Sequence, residues 1–308
     1  MRIADALATI FPCFSFEFFA PKNDEGMIQL MDTIGRLRQL NPTFVSVTYG
    51  AGGSSRERTI ELVTRFKSEL DIEAMAHLTC VGASRAELRE KLDRLVDAGI
   101  ENVLALRGDP PRGETHFTPA PDGFAYATEL TAFIRANYSF SLGGACYPEK
   151  HQEAPSLEVD LQHLVEKVNA GAEFLITQMF FDNAYYFRFV EQARAAGITV
   201  PIIPGLMPIT NVDQIPRFAQ LSGAKIPEPL TRELEKRADN PVAVMELGVA
   251  YATLQVEELL RGGAPGVHFY TLNRSPATSA ILAAIQVAKP WTRSVPQQSP
   301  AEASRRRN

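Results

Sequence analysis

Short apolar runs alternate with amphipathic segments along most of the chain, and this alternation restricts the fold more than any other feature. Eight runs have the length and the β-branched and aromatic content of buried strands. These runs are residues 13–19, 44–49, 73–80, 102–107, 140–147, 174–181, 200–206 and 267–273. The step between most of them is about 30 residues, the length of a strand–helix unit. The pattern predicts an α/β fold, a (β/α)8 barrel of the TIM type.

The segments between the runs carry helix signals. Residues 84–99 begin with Ser84 in a capping position and end at Gly99, a residue that commonly closes helices. Residues 211–262 hold two or three further helical patterns, which we expect to form an insertion before the eighth strand. A doubly wound sheet is the competing fold, but no GxGxxG follows an early strand.

The chain is predicted to contain a single catalytic domain, residues 1–289, and no second domain. Residues 290–308 are polar and rich in Pro and Ser, so we expect them to form a disordered tail. The one cationic cluster, residues 305–307, lies in this tail.

Composition excludes several classes of partner. A formal net charge of -5 without a basic stripe argues against broad nucleic-acid binding. The three cysteines lie inside apolar runs, as expected of buried thiols in a reducing compartment. No run is apolar enough to span a membrane, and Asp5 and Pro12 interrupt the faint resemblance of the N-terminus to a secretory signal. We therefore expect a cytoplasmic protein that contacts neither membrane nor nucleic acid.

Polar residues stand at or near the ends of the predicted strands. They are Glu17, Thr48, His77, Asp109, Tyr147, Gln178 and Arg274. In a (β/α)8 barrel the carboxyl ends of the strands meet on one face, and chemistry gathers there. A mouth with two carboxylates, a guanidinium and an amide suits a polar, anionic, heteroaromatic ligand.

Glu17 is the least expected of these residues, because Phe16, Phe18 and Phe19 surround it in the sequence. A carboxylate in aromatic surroundings is costly unless it is paired, protonated or used. Such surroundings would raise its pKa by desolvation. The alternative is an exposed salt-bridge partner at a strand end.

The other strand-end residues also have structural alternatives. His77 fits a core histidine, Asp109 fits a turn before Pro, and the amide of Gln178 needs partners from either a ligand or the backbone. Arg274 fits the cap of a following helix. A metal site could use His77, Cys80, Cys146 and His151. The chain lacks paired CxxC or HExxH spacing, so we predict no metal site.

Eight motifs together resemble the methylenetetrahydrofolate reductase family. They are FSFEFFAPK, FVSVTYGAGGS, AHLTC, LALRGDPP, YPEKH, GAEFLITQMFFD, IIPGLMPI and HFYTLNR. They keep the family's order and spacing, and the length is similar to that of the compact bacterial form, without the C-terminal regulatory domain of eukaryotic members.

The resemblance implies an enzyme that holds FAD at the carboxyl end of the barrel and uses NADH or NADPH as reductant. The family reaction is a ping-pong hydride relay through FAD that converts 5,10-methylenetetrahydrofolate to 5-methyltetrahydrofolate and feeds methionine synthesis. Family members are commonly oligomers, so the resemblance also implies a homo-oligomer.

The resemblance also assigns site residues. Glu17 would be the general acid that opens the imidazolidine ring of the folate. Asp109 would lie beside both flavin and pterin, Gln178 would bind the pterin, and Arg274 would meet the glutamate tail of the substrate. The FAD contacts would be Thr48, His77, Arg107, Gly108, Asp109, Tyr126, Ala127, Tyr147, His151, Asp160 and Lys167.

Two other functions compete with this one. A lyase or aldolase on the same barrel would need a Schiff-base lysine or metal ligands at a strand end, and no lysine lies in the eight predicted strands. A non-catalytic flavin or folate binder would not need both Glu17 and Asp109.

Overall fold

The structure is a computed structural model and describes residues 1–21, 23–49, 53–109 and 117–292. Nine strands are found there, and all of their pairings are parallel. The strands are β1 Cys13–Phe19, β2 Phe44–Thr48, β3 Ala74–Thr79, β4 Asn102–Leu106, β5 Ser141–Cys146, β6 Phe174–Thr177, β7 Ile202–Ile203, β8 Gly205–Leu206 and β9 Gly266–Tyr270. The predicted strand order is confirmed.

The sheet closes into a barrel through one interrupted segment. Its order is β7-β6-β5-β4-β3-β2-β1-β9-β8, so the two outermost strands are neighbours in the chain. Only Pro204 separates them, and proline has no N–H to donate to a ladder. Its carbonyl still accepts from the backbone N–H of His268 at 2.9 Å. β7 and β8 therefore act as two halves of a seventh strand, which gives the predicted (β/α)8 barrel.

Helices cover the strands on the outside. They are α1 Ile3–Thr9, α2 Asp24–Arg38, α3 Gly53–Leu70, α4 Arg85–Asp97, α5 Ala127–Asn137, α6 Leu157–Asn169, α7 Asn183–Ala195, α8 Ile215–Ser222, α9 Glu228–Glu235, α10 Pro241–Arg261 and α11 Pro276–Ala288. Ser84 caps α4 in a full capping box with Glu87, as its position predicts. The predicted insertion before the last strand is confirmed as α8, α9 and α10.

The lower half of the barrel interior is an apolar layer, closed from below by α1. Its buried members are Ile3, Phe44, Met75, Leu104, Phe174, Ile176 and Ile203. Gly143 makes room for this layer, since a Cβ there would come within 2.7 Å of the Phe174 ring. The first two N–H groups of α1 find acceptors in the barrel, Ile3 N–H to Asn102 Oδ1 at 2.7 Å and Ala4 N–H to Ser141 Oγ at 3.1 Å.

The end of the described chain is packed against the barrel. Residues 290–292, which the sequence assigns to the tail, form a 3-10 turn in which Pro290 is buried and the Trp291 ring lies 6.2 Å from that of Phe14. Residues 293–308 lie outside the described residues, so the disordered tail stays a prediction. Among the described helices, none is long and apolar enough to cross a membrane.

Candidate active site

Glu17 lies in the barrel interior, above the apolar layer, and away from the aromatic residues beside it in the sequence. Successive residues of a strand point to opposite faces. Phe16 and Phe18 are fully buried in the outer core between strands and helices. Glu17 Oε2 instead lies 3.5 Å from His77 Nε2 and 3.4 Å from His268 Nε2. The Glu17 carboxyl group therefore lies beside two imidazole rings and not beside the phenylalanines of its own strand.

The turn after β9 fixes the backbone around Glu17. Leu272 and Asn273 have positive φ angles of 51° and 59°, which bend the chain back toward β1. The Thr271 hydroxyl donates to the carbonyl of Glu17 at 2.6 Å, and the Asn273 side chain makes hydrogen bonds to both the N–H and the carbonyl of Phe19. The motif TLN thus secures the end of the strand that carries the carboxyl group.

The two histidines change the electrostatics that the sequence predicts for Glu17. Burial is the largest single influence and raises the pKa of the Glu17 carboxyl, but His77 and a hydrogen bond from His268 together lower the pKa below its usual value. The predicted rise in the pKa of Glu17 is therefore wrong. Burial also lowers the pKa of His77 to about 4, so this ring is neutral near neutral pH.

Several polar atoms near Glu17, above the apolar layer, have no hydrogen-bond partner among the described residues. They are Ser46 Oγ, Thr79 Oγ1 and His77 Nε2, and all three are buried. Buried polar groups are almost always paired, so unpaired ones need an explanation. Three of them at the mouth of one barrel mark a surface that suits a polar ligand.

The loop after β4 brings Arg107, Gly108 and Asp109 to the mouth. Gly108 has φ +89°, and a Cβ on it would come 2.7 Å from Val81 Cγ1, so only glycine fits. Arg107 makes a two-pronged ion pair with Glu153 at 2.5 and 2.7 Å. Asp109 is exposed and directly precedes residues 110–116, which lie outside the described residues.

The segment from β5 to α6 brings together a second group of predicted residues. The Tyr147 and His151 rings meet edge to face, with centroids 4.6 Å apart. The backbone N–H of His151 donates to Asp160 Oδ2 at 2.8 Å. Lys167 Nζ donates to the carbonyl of Ala145 at 2.7 Å. Tyr147, Asp160 and Lys167 line one small cavity, so the prediction that Asp160 and Lys167 can reach one ligand is consistent with their placement. Burial lowers the pKa of both Lys167 and His151.

The remaining predicted residues lie apart from these two groups. Thr48 ends β2, while Tyr126, 61% exposed, precedes Ala127 at the start of α5. Gln178 follows β6, and its Oε1 accepts from the N–H of Met179 at 3.0 Å, so the backbone supplies part of what this amide needs. Arg274 is exposed beyond β9. In the described part of the chain, no group of three or more His, Cys, Asp or Glu side chains could hold a metal ion.

Three residues of the site were missed by sequence reasoning: Ser15, Glu153 and His268. Ser15 and His268 are two residues from Glu17 and Tyr270, respectively, so strand alternation applied to β1 and β9 would have placed them on the interior face. Glu153 carries no local signal, because its pairing with Arg107 depends on how two separate loops meet.

The comparisons with known proteins agree with this architecture. The methylenetetrahydrofolate reductase family model matches residues 2–286. The 5,10-methylenetetrahydrofolate reductase of Salmonella typhimurium is 41% identical over 87% of this chain and 88% of its own length, and that of Escherichia coli is 39% identical with the same coverage.

Plant relatives are longer. Methylenetetrahydrofolate reductase (NADH) 1 of Arabidopsis thaliana is 37% identical over 99% of this chain but only 54% of its own length. The chain thus spans about half the length of the plant relatives it matches.

A solved structure supports the fold alone. It is a Clostridium thermocellum protein described as binding two copies of 5-methyl-5,6,7,8-tetrahydrofolic acid, with a TM-score of 0.62 and 17% identity over 94% of this chain and 99% of that one. The family model covers nearly the whole barrel, and the bacterial relatives align over most of both chains. The chain belongs to the methylenetetrahydrofolate reductase family.

Proposed function

We propose that the protein reduces 5,10-methylenetetrahydrofolate to 5-methyltetrahydrofolate, with NADH or NADPH as reductant and FAD as resident cofactor. The observation that carries the proposal is the carboxyl group of Glu17, which lies inside the barrel mouth, 13% exposed, between two histidines. The bacterial relatives bear the name of this reaction, and they align with 87% of this chain.

The residues at the mouth fit FAD. The unpaired Ser46 and Thr79 hydroxyls and His77 Nε2 would pair with a polar ligand, and the lack of a Cβ at Gly108 leaves room for its close approach. Arg107 and Lys167 supply cations suited to a diphosphate. The residues that would hold FAD are Thr48, His77, Arg107, Gly108, Asp109, Tyr126, Ala127, Tyr147, His151, Asp160 and Lys167. When bound, FAD would supply a two-electron carrier between the nicotinamide and the folate, which would use one face in turn in a ping-pong order.

Glu17 supplies the proton that the substrate needs. Opening of the imidazolidine ring breaks a carbon–nitrogen bond, the nitrogen takes a proton, and a cationic iminium remains to accept hydride as the methyl group forms. His77 and His268 lower the pKa of Glu17 below its usual value. A substrate that expels water from the mouth strengthens the effect of burial, which raises this pKa. Substrate binding thus favours the protonated acid.

The other polar residues of the mouth bind and orient the substrate. A negative charge at Asp109 favours the cationic iminium and opposes further negative charge on the cofactor. The Gln178 amide hydrogen-bonds the pterin. The exposed Arg274 guanidinium pairs with the carboxylate tail of the folate. The product would feed methionine synthesis.

Anaerobic visible spectroscopy of the purified protein tests the proposal. The protein should show flavin absorbance, lose it on addition of NADH or NADPH, and regain it on addition of 5,10-methylenetetrahydrofolate. Glu17→Gln should keep the first step and slow the second by roughly 10²–10⁴-fold, the usual contribution of a general acid. Glu25→Gln, an exposed change on α2, is the matched control and should leave both steps unchanged.

Two results would overturn parts of the proposal. A colourless protein that also fails to take up added FAD would favour the alternative function, a lyase or aldolase. Normal folate reduction by Glu17→Gln would remove Glu17 as the acid.

A further inference from the structure

We propose that His268 is a positioning residue that holds the Glu17 carboxyl in place through its Nε2–H group, with Ser15 holding the opposite nitrogen of the ring. The inference rests on the proposed function, because it assigns a role in the step for which Glu17 is the acid. None of the roles that the family resemblance implies falls on Ser15 or His268.

The three side chains form one chain of contacts across the β1–β9 pair. Ser15 Oγ lies 2.7 Å from His268 Nδ1, and His268 Nε2 lies 3.4 Å from Glu17 Oε2. β1 and β9 are paired in register, with Ser15 opposite His268 and Glu17 opposite Tyr270. The contacts therefore follow from strand pairing and do not depend on a mobile loop.

Chemistry decides which nitrogen of His268 carries the proton. An ionised carboxylate can only accept hydrogen bonds, so the nitrogen that faces Glu17 must donate. Nδ1 is then left as an acceptor, and the Ser15 hydroxyl is its donor. The carboxylate therefore selects the Nε2–H tautomer, and the Ser15 hydroxyl, which can donate or accept, pairs with the Nδ1 atom that this tautomer leaves unprotonated.

Burial makes this arrangement the only one available to the ring. His268 is 0% exposed, so water cannot replace a lost partner. The Phe44 ring stacks against one face at 6.0 Å, and the Tyr270 ring stands edge-on at 5.4 Å. Packing thus fixes the plane of the imidazole, and the contact with the Glu17 carboxylate fixes its tautomer.

His77 does not have the same role. Its Nε2 lies within 3.5 Å of Glu17 but has no hydrogen bond among the described residues, and the ring is among those expected to contact FAD. Only His268 is held on both sides. The titratable groups that face Glu17 are thus His77 from β3 and both His268 and Tyr270 from β9.

The first test reads the tautomer directly and needs no turnover. The sequence has only five histidines, so the ring ¹⁵N resonances of His268 can be assigned with single variants. In the wild-type protein Nε2 should be protonated and Nδ1 should be an acceptor near neutral pH. In Ser15→Ala the Nδ1 resonance should shift, because this nitrogen loses its hydrogen-bond partner. A wild-type ring protonated at Nδ1 would overturn the proposal, even if no His268 variant folds.

The second test separates hydrogen bonding from ionisation. In His268→Gln the amide can donate to Glu17 and accept from Ser15 but cannot titrate, whereas His268→Leu can do neither. Rapid-mixing measurements should show that Leu slows the folate step by about 10²-fold, because misplacement of a catalytic group has effects of that size. Gln should stay within about threefold of wild type. The nicotinamide step should be unchanged in both.

The pH profile gives a readout that a purely structural role would not move. Without the His268 donor, burial of Glu17 is less opposed, so its pKa rises. The loss of folate-step rate with rising pH should therefore occur at a higher pH in His268→Leu than in wild type, and His268→Gln should follow wild type.

The outcomes distinguish this inference from the proposed function. If Glu17→Gln fails in the folate step while both His268 variants match wild type, the acid stands and the positioning role falls. If Gln and Leu at 268 lose the same activity, His268 acts by ionising, which also overturns the role. Normal folate reduction by Glu17→Gln overturns the proposed function itself.

Discussion

The two layers of the barrel interior stand on the same strands but have opposite chemistry. On β2 the lower layer holds Phe44 and the next inward residue is Ser46, while on β3 Met75 is followed by His77. One step of two residues thus separates a dry apolar layer from a polar one. The lower layer packs fully against α1 and the upper one leaves buried polar atoms unpaired.

This difference shows how one scaffold separates stability from chemistry. Apolar contacts in the lower layer hold the strand spacing, and that spacing sets the distances between Glu17 and its two histidines. Changes below should therefore alter the free energy of unfolding, and changes above should alter rates and pH dependence.

The largest stability effect should come from Phe174→Ala in the lower layer. Phe174 is fully buried, and loss of its ring should cost about 3–5 kcal/mol of unfolding free energy. Urea denaturation measures this loss, and the folded fraction should keep its activity. Val287→Ala, at a residue 87% exposed, is the control and should change stability by less than about 0.5 kcal/mol. Equal losses in the two variants would contradict a structural lower layer.

The next effect concerns acid sensitivity of the upper layer. His77 has a folded pKa of about 4 against an ordinary value of 6.5, so the unfolded chain takes up a proton first as the pH falls. The stability due to the neutral ring is present above pH 6.5 and is lost toward pH 4. Between pH 7 and pH 5 the loss should be roughly 2 kcal/mol.

His77→Gln should flatten this dependence. Urea unfolding at pH 7 and pH 5 is the measurement, since Glu17 has a lowered pKa and begins to lose its contribution only at lower pH. An unchanged slope in His77→Gln would show that other groups cause the acid sensitivity.

A smaller effect should follow from loosening α1. Asn102 is fully buried, and its side chain accepts from Ile3 N–H and donates to Glu73 Oε1 at 2.9 Å. Asn102→Ala leaves the N–H of Ile3 without its acceptor, which should cost about 1–3 kcal/mol. Hydrogen exchange at Ile3 should accelerate more than exchange in β4. The exposed Asn137→Ala is the control.

The smallest effect should be at the half-exposed ion pair below the barrel. Arg2 and Glu173 approach to 2.6 Å, but their side chains are 31% and 27% exposed. A double-mutant cycle with Arg2→Ala and Glu173→Gln should give a coupling of about 1 kcal/mol or less, and salt should reduce it. A coupling free energy larger than the loss of unfolding free energy in Asn102→Ala would contradict this order.

Much of the fold could be predicted from the sequence, because apolar periodicity and helix caps are local signals. The errors arise where tertiary contacts decide. The sixth strand was predicted to reach residue 181, yet it ends at Thr177 because Phe180 and Phe181 leave the sheet to join separate apolar clusters. The seventh strand is divided at Pro204 because β7 pairs with β6 and β8 pairs with β9, and this pairing is not visible in the sequence.

The site was predicted less completely than the fold. Strands of a parallel barrel are buried on both faces, so hydrophobicity does not show which face a residue takes. For this reason the sequence pattern places Phe16 and Phe18 beside Glu17 and shows His268 only as part of an apolar run.

The position of α1 affects the order in which the parts of the chain fold during synthesis. Ile3 leaves the ribosome before its acceptor, because Asn102 comes 99 positions later, and Ser141, the partner of Ala4, comes 137 positions later. α1 therefore cannot pack in its final position, and Ile3 stays exposed, until β4 and β5 have been synthesised. α1 is thus synthesised before the strands that hold it and is among the later elements to reach its final position.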